Sequence, residues 1–429
     1  MPDIRPFRAI RYSTKVFGTD VSTLVAPPYD VLSAADKERL LKQSPQNVVE
    51  VDLPCVPPDK AGPVEVYDRA AATLRRWLSE GVLVRDEKPA LYVYHQTYRH
   101  GGREYTRRKV FAVMRLEEFG RGKVFPHELT HSGPKEDRLM LMRATRCQLS
   151  PVFGLYSDPS NAVSGALDRG DRPPDMTAVL GDVVNRTWVE TDAGVIDRVR
   201  RLLGGLSVYI ADGHHRYTTA LNYRREMAAD GNGSGDEPWQ YVLVCLCAME
   251  DPGCVILPTH RIFGAIPSLP PAELIQAWSP ACSFAPAAVS HADAERLIAP
   301  DAPHDIGLYV AAEDRYYAGR FTNRAILKTL APERSEAWRS LDLAYLHRYM
   351  IEELLTKDRL GGQPPTITYT PSLADAVRVA RESSGAAVLV KPTTMAQLRS
   401  VSQANDLMPQ KSTYFYPKVA TGLVIHPLA

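Results

Sequence analysis

The most constraining feature of the sequence is a strand, a glycine turn, a helix and a second strand in succession. An apolar strand is predicted at Leu206–Ile210, a polar turn follows at 211–216, and a helix continues through Glu226. After a glycine-rich segment at 230–236, which is predicted to be a flexible turn, the continuous apolar run Gln240–Met249 is typical of a buried strand. This βαβ-type order predicts an α/β fold, or a mixed α+β fold.

Further helices and strands are predicted on both sides of this segment. Ser33 and Asp36 form a capping-box pattern at the start of a helix over Ala34–Gln43, and four-residue apolar spacing predicts another over Val64–Glu80. Two β-rich runs around Gly101–Gly102 predict an antiparallel hairpin. The other predicted elements are the helices Leu139–Thr145, Ile196–Leu203, Asp342–Thr356, Leu373–Glu382 and Thr394–Gln403, and the strands Val152–Tyr156, Ile306–Ala311, Tyr316–Phe321, Thr366–Thr370 and Ala386–Val390.

The size of the chain predicts two or three domains. It has 429 residues, of which 45% are hydrophobic and 24% charged, as in an ordinary globular enzyme. We expect an N-terminal α/β domain over 1–150, a central core with the glycine turn over 151–265, and a C-terminal α/β lobe over 266–429.

Charge and cysteine usage exclude several classes of function. The 51 basic and 50 acidic residues give a formal charge of +1, so no overall field attracts nucleic acid or an anionic membrane. The six cysteines lack paired Cys-x-x-Cys spacing, which predicts reduced core thiols. No secretory signal pattern or bilayer-length apolar run is present. We therefore expect a soluble cytoplasmic protein without direct nucleic-acid or membrane partners, for which a homo-oligomer is left open.

The turn Ala211–Arg216 is the main candidate site. Gly213 allows a close backbone approach, and the first amides of the following helix point outward at the positive end of its dipole. The Arg216 guanidinium is suited to phosphate oxygens. Asp212 is a candidate to bind Mg²⁺ or to orient a histidine, and His214 and His215 are candidate phosphate donors, metal ligands or proton carriers. Alternatively, Asp212 caps the helix and one histidine is structural.

Two further loops carry candidate catalytic groups. Tyr29 and Asp30 follow a rigid Pro-Pro pair, which suits substrate binding by Tyr29 and a general base or metal ligand at Asp30; a turn or cap role explains them equally well. In the loop 125–138, Glu128 is the second candidate base, and Lys135 and Arg138 are candidates to stabilise transferred charge. The alternative is an ordinary helix start with Arg138 on a solvated face.

Candidate substrate-binding residues lie further along the chain. His260 and Arg261 follow a buried-type strand, which places them at one end of the same sheet as the turn or in a strand-end salt bridge. Lys411, Ser412 and Thr413 are candidates to bind a carboxylate or phosphate, whereas the aromatic residues 414–416 fit a packed strand.

The segment Asp212–Tyr217 resembles the phosphate-binding motif of the ParB/sulfiredoxin superfamily, whose members include free-serine kinases. This resemblance implies a ParB/sulfiredoxin-like nucleotide-binding core with additional α/β lobes, ATP or ADP with Mg²⁺, and a small hydroxyl substrate such as serine. Over nearly its whole length the chain also resembles the domain-of-unknown-function 1015 family, which implies no activity. That resemblance rests on the segments Ile4–Arg8, Val25–Val31, Gly133–Arg138, Ala211–Tyr217, Leu257–Arg261 and Met408–Lys418.

Three hypotheses follow from these residues. The first is a nucleotide-dependent phosphotransferase, or kinase, acting on a small hydroxyl-bearing metabolite such as free serine, with a role in serine metabolism. The second is a non-catalytic nucleotide-binding regulatory protein, and the third is a metal-dependent phosphohydrolase with His214, His215 and nearby acidic residues as ligands.

Overall fold

The computed structural model describes residues 2–58, 61–128, 133–229, 231, 235–266 and 273–429, with the backbone alone at 133–134. Parts of the predicted flexible turn (230 and 232–234) and of the loop 125–138 (129–132) lie outside these residues. The chain divides into two compact units: one comprises 1–126, 130–255 and 417–429, the other 127–129 and 256–416. This division differs from the three predicted segments, because strands from both 1–150 and 151–265 pair in one sheet.

The first unit is built on a nine-stranded mixed sheet. In spatial order its strands are Val124–Phe125, Val208–Asp212, Val152–Tyr156, Tyr241–Ala248, Arg103–Arg115, Leu91–His100, Val183–Glu190 and Met176–Leu180, with Ile4–Arg5 paired to Arg103–Arg115. Two further strand pairs are Ile10–Tyr12 with Leu83–Arg85 and Cys147–Gln148 with His426–Pro427. The protein is therefore mixed α/β, as predicted, and the hairpin around Gly101–Gly102 is confirmed with longer strands.

The predicted βαβ arrangement around the glycine turn is wrong in one respect. The strands Val208–Asp212 and Tyr241–Ala248 do not pair directly, because Val152–Tyr156 lies between them. That strand is antiparallel to the first and parallel to the second. The two strands joined by the helix His214–Ala229 are consequently antiparallel. Hydrophobic periodicity does not show strand direction or the insertion of an earlier segment.

The sheet has an apolar face that forms the main core of this unit. Val208, Ile210, Val244 and Leu246 belong to this core, together with Val199 and Leu221 from two helices. The helices of the unit are Thr14–Phe17, Ala34–Gln43, Val49–Asp52, Val64–Ser79, Gly133–Thr145, Ala162–Ala166, Ala193–Gly204 and His214–Ala229. No helix within the described residues is long and apolar enough to span a bilayer, and all six cysteines carry free thiols.

The second unit is built on a six-stranded sheet. Its strands, in spatial order, are Cys282–Ala287, Arg315–Phe321, Ile306–Val310, Ala386–Val390, His260–Phe263 and Ile367–Thr370. Its α-helices are Glu273–Ala277, Leu327–Leu330, Glu336–Arg339, Asp342–Tyr345, Leu373–Glu382 and Met395–Gln403. The helix predicted over Asp342–Thr356 instead continues from Leu346 to Lys357 as a π-helix.

The helix Ala34–Gln43 gives a local test of the predicted capping box. The Ser33 hydroxyl accepts a hydrogen bond from the Asp36 amide at 3.2 Å, and the Asp36 carboxylate accepts from the Ser33 amide at 3.1 Å.

We expect Ser33→Ala to lower the free energy of unfolding by about 1 kcal/mol, because an amide at the helix start loses its acceptor. Urea unfolding measures this, with Ser79→Ala as a control. An equal loss in both variants would contradict the capping role.

Candidate functional site

The predicted strand–turn–helix is present, with Gly213 as the only residue between strand and helix. The strand ends at Asp212, the helix begins at His214, and Gly213 has a φ of +87°. A Cβ atom at this position would lie 2.9 Å from the Nε of Arg216. Glycine is therefore required both for the left-handed backbone and for the approach of the guanidinium. His214 and His215 are half-buried at the first two helical positions.

Asp212 is held between two cationic side chains. Its Oδ2 accepts from the Lys418 ammonium at 2.8 Å, and its Oδ1 accepts from the Gly213 amide at 2.7 Å and from Arg216 Nη2 at 3.4 Å. Burial alone would raise the pKa of Asp212, but Lys418 and Arg216 lower it well below its usual range. The carboxylate is therefore ionised and engaged by protein donors through both oxygens.

This arrangement does not fit the predicted Mg²⁺ ligand at Asp212. A divalent cation there would have to compete with the Lys418 ammonium and the Arg216 guanidinium for the same two oxygens. Within the described part of the chain, no three His, Cys, Asp or Glu side chains cluster in a way that could hold a metal ion. Asp212 instead orients the two cations, and we assign no step to a metal bound by Asp212.

Arg216 is buried, with 8% of its surface exposed. Its Nη1 donates to the carbonyl of Pro151, and its Nη2 lies 3.9 Å from a carboxylate oxygen of Asp30. Its Nε is buried and has no hydrogen-bond partner among the described residues. A buried donor without an acceptor is unfavourable by about 1–3 kcal/mol, so an incoming anionic oxygen would be stabilised at this atom.

Lys418 is a residue of the candidate site that sequence reasoning missed. It ends the segment Met408–Lys418, in which the sequence predicts binding side chains at Lys411, Ser412 and Thr413. Its side chain is 18% exposed and pairs with Asp212. The family resemblance of the segment is the one sequence signal that could have indicated it.

Tyr29 and Asp30 lie close to Arg216 in the same unit. They form a 3₁₀ turn, Tyr29–Val31, in which Tyr29 is buried and Asp30 is exposed. The Tyr29 ring centroid is 4.0 Å from the Cζ of Arg138 and 5.9 Å from that of Arg216. Beside the two arginines is a cavity of about 40 Å³, which has room for a few water molecules but not for a nucleotide.

Arg138 is not on a solvated face. It is 6% exposed, and its Nε and Nη2 donate to Asp137 Oδ2 at 2.8 and 2.6 Å. Its Nη1 donates to the Asp52 carbonyl at 2.6 Å. These contacts make Arg138 part of an internal ion network. Its three guanidinium nitrogens already donate to protein oxygens, so Arg138 is poorly suited to stabilise the charge of a transferred phosphate. Lys135, in the same helix, is half-buried, and burial lowers the pKa of its ammonium.

The predicted Glu128 and Lys411 belong to the second unit. The Lys411 amide donates to Glu128 Oε1 at 2.9 Å, and the Lys411 carbonyl accepts from Arg261 Nη2 at 3.1 Å. Lys411 has a φ of +56°, and its side chain is exposed. The Ser412 hydroxyl donates to the Pro409 carbonyl, and the Thr413 hydroxyl contacts His127 at 2.8 Å. Of the three predicted anion-binding side chains, only that of Lys411 is exposed.

His260 and Arg261 do not lie in the same sheet as the glycine turn. They belong to the strand His260–Phe263 of the six-stranded sheet in the second unit. Arg261 is fully buried, and its Nε donates to His347 Nε2 at 3.2 Å. Burial lowers the pKa of Arg261 to about 10. The contacts of Arg261 hold the backbone of the loop around Lys411, which is a structural role.

The buried histidines predict an acid-sensitive fold. Burial, and then the charge of Arg261, lowers the pKa of His260 to about 4 and that of His347 to about 3. Below the ordinary value of about 6.5 the unfolded chain binds protons that these folded imidazoles do not, so acid favours unfolding. We expect the free energy of unfolding to fall between about pH 6.5 and 4. Urea unfolding across this range measures it, and His347→Gln should reduce the slope. A flat profile would contradict the prediction.

Comparisons with known proteins place the chain in a family. The family model described as "Protein of unknown function (DUF1015)" matches residues 4–344, and the chain belongs to this family. No curated protein sequence matches the chain. The resemblance of the turn itself to the ParB/sulfiredoxin motif remains a prediction.

Several solved structures have a partial likeness to this chain. A free serine kinase variant in complex with ADP is 11% identical, with 70% of this chain and 89% of that chain covered and a TM-score of 0.35. A conserved hypothetical protein from Pyrococcus furiosus is 13% identical, with coverages of 70% and 92% and a TM-score of 0.33. SbnI from Staphylococcus aureus, truncated at its C-terminus, is 11% identical, with coverages of 74% and 87% and a TM-score of 0.34.

Proposed function

We propose that the protein is a nucleotide-dependent phosphotransferase that acts on a small hydroxyl-bearing metabolite such as free serine. The observation that carries the proposal is the buried Arg216 guanidinium, whose Nε has no partner among the described residues, at a glycine turn that begins a helix. The Arg216 guanidinium and the Lys418 ammonium, which lie on either side of Asp212, supply fixed positive charge for the phosphates of ATP or ADP. His214 and His215 start the same helix, where the dipole favours an anion.

Asp30 supports transfer rather than binding alone. Its carboxylate is exposed and lies 3.9 Å from Arg216, beside the proposed phosphate position. In the proposed step Asp30 accepts the proton of the substrate hydroxyl, whose oxygen attacks the terminal phosphorus. The bond from phosphorus to the bridging oxygen breaks, and the shortened nucleotide leaves. We prefer Asp30 to Glu128 as the base because Glu128 already accepts the Lys411 amide.

The test of the function is hydroxyl-dependent nucleotide turnover. Purified protein is incubated with ATP or ADP, with or without serine and related small alcohols, and phosphorus NMR detects a new phosphate monoester. Formation of the ester supports the phosphotransferase, whereas absence of nucleotide binding refutes the proposal. Tight binding without turnover indicates the regulatory protein, a second candidate that the occupied Asp212 oxygens favour.

Replacing Asp30 separates catalysis from binding. We expect Asp30→Asn to lower the transfer rate by about 100-fold, the usual contribution of a general base. Nucleotide affinity should stay equal or rise, because a negative charge near the phosphates is removed. Asp20→Asn is the matched control, since Asp20 bonds to Ser22 in the same unit. Full activity of the Asp30 variant would exclude it as the base.

A further inference from the structure

The nine-stranded sheet carries a buried polar cluster on the face opposite its apolar core. Gln96 pairs with Arg107, and Tyr94 with Lys109, on neighbouring strands, so the four side chains share one face. Gln96 is 1% exposed, Lys109 3%, and Arg107 is fully buried. Burial lowers the pKa of Lys109 well below its usual range, and Arg107 lowers it further. Buried charged groups are unfavourable unless they are bonded, so their partners are informative.

The contacts of Gln96 fix the orientation of its amide. Its Oε1 accepts from Arg107 Nη2 at 2.6 Å and also from the Lys109 ammonium. Because two donors occupy the oxygen, the amide nitrogen has to point the other way. It donates to the Lys418 carbonyl at 2.9 Å and to Asn185 Oδ1 at 3.0 Å. The cluster is thus bonded to the backbone of the residue whose ammonium pairs with Asp212.

Two more contacts hold the neighbours of Lys418. Arg107 Nη2 also donates to the Pro417 carbonyl, and the Tyr94 hydroxyl accepts from the Ala420 amide at 3.3 Å. The backbone is therefore bonded at three points over Pro417–Ala420, a segment we call the strap. A lysine side chain has many rotamers, so the position of its ammonium depends on how firmly its backbone is held.

We propose that Gln96 and Arg107 are positioning residues that hold the strap so that the Lys418 ammonium lies against Asp212 as part of the phosphate site. The effect on nucleotide binding rests on the proposed function, but the placement of Lys418 is a property of the protein without nucleotide. The ligand class is a nucleotide phosphate, and Gln96 and Arg107 act on it only through Lys418.

The placement is tested without nucleotide, by the reactivity of Lys418. Brief acetylation of the full chain followed by mass spectrometry compares Lys418 with the exposed Lys15. Gln96→Glu removes the donor to the Lys418 carbonyl but keeps the shape of the side chain, and we expect acetylation of Lys418 to rise several-fold.

Tyr94→Phe, which removes only a hydroxyl, should give a smaller rise and serves if the first variant does not fold. Thr187→Val is the control, because Thr187 is buried on the same face and its hydroxyl has no partner within the described part of the chain. Unchanged reactivity in both test variants overturns the proposal.

The consequence for the phosphate site is tested by a double-mutant cycle. Gln96→Glu should weaken ATP or ADP binding roughly tenfold, the effect of one misplaced charged hydrogen bond. In a Lys418→Met background the same change should have little effect, because nothing remains to be positioned. An equal loss in both backgrounds would show that Gln96 acts only through stability. If the wild-type protein binds no nucleotide, the proposed function fails, and the acetylation result still decides the placement.

Discussion

Arg216→Ala should abolish measurable binding of ATP and ADP. The guanidinium carries a buried Nε that lacks a hydrogen-bond partner among the described residues, and charged hydrogen bonds to phosphate are strong. The same change removes one of the two cationic partners of Asp212, and it removes the Arg216 donor from the Pro151 carbonyl. We therefore also expect a loss of about 3–5 kcal/mol in the free energy of unfolding. The position of Arg216 near the start of a helix would by itself predict that Arg216→Ala leaves the fold intact. The burial of its side chain predicts a loss of stability instead.

Binding and stability are separated by a conservative variant. Arg216→Lys keeps the charge but loses the planar donor pair, so we expect a folded protein whose nucleotide affinity is reduced rather than abolished. Titration calorimetry gives the affinity, and thermal unfolding monitors the fold in each variant. If Arg216→Ala is folded and binds nucleotide as tightly as the wild type, the phosphate site does not lie at this turn.

Arg138→Met should destabilise the protein by about 3–5 kcal/mol, because it leaves buried carboxylates without their cation. Asp137 is fully buried, Asp52 is 4% exposed, and Arg138 lies between them. Among the described residues, Asp137 would keep the hydrogen bond from the Tyr67 hydroxyl at 2.7 Å, and Asp52 the one from the Ser150 hydroxyl at 2.9 Å. Urea unfolding at neutral pH measures the loss.

Arg143→Met is the matched control for Arg138. It lies in the same helix and pairs with Glu226, but the two side chains are 48% and 41% exposed, so its loss should be about 0–1 kcal/mol. Adding Asp137→Asn to Arg138→Met should recover part of the stability, because one unpaired charge is removed. If Arg138→Met kept its stability but lost nucleotide binding, Arg138 would belong to the phosphate site.

Local elements were predictable because their causes are local. The helices Ala34–Gln43 and Leu373–Glu382 and the strands Val152–Tyr156 and Ala386–Val390 have the predicted bounds. Apolar periodicity and capping residues act within one element. The π-helix Leu346–Lys357 was not predicted, because its apolar spacing also fits an α-helix.

The candidate site was predictable as a place but not as a set of contacts. The glycine turn and Arg216 were recognised from neighbouring residues, whereas the pairing of Asp212 with Lys418 joins distant parts of the chain. The burial of Arg138 between Asp137 and Asp52 was likewise not predictable from its surroundings in the sequence.

The sequence alone determined the mixed α/β class, the bounds of many elements and the strand–glycine–helix turn, because these depend on residue type and spacing over a few turns of chain. Only the tertiary structure decided that the two strands joined by the helix after the turn are antiparallel, and that the Asp212 carboxylate pairs with Arg216 and Lys418. It also brought Lys418 into the candidate site. Those outcomes depend on which distant segments pack together, and neither periodicity nor composition records that choice.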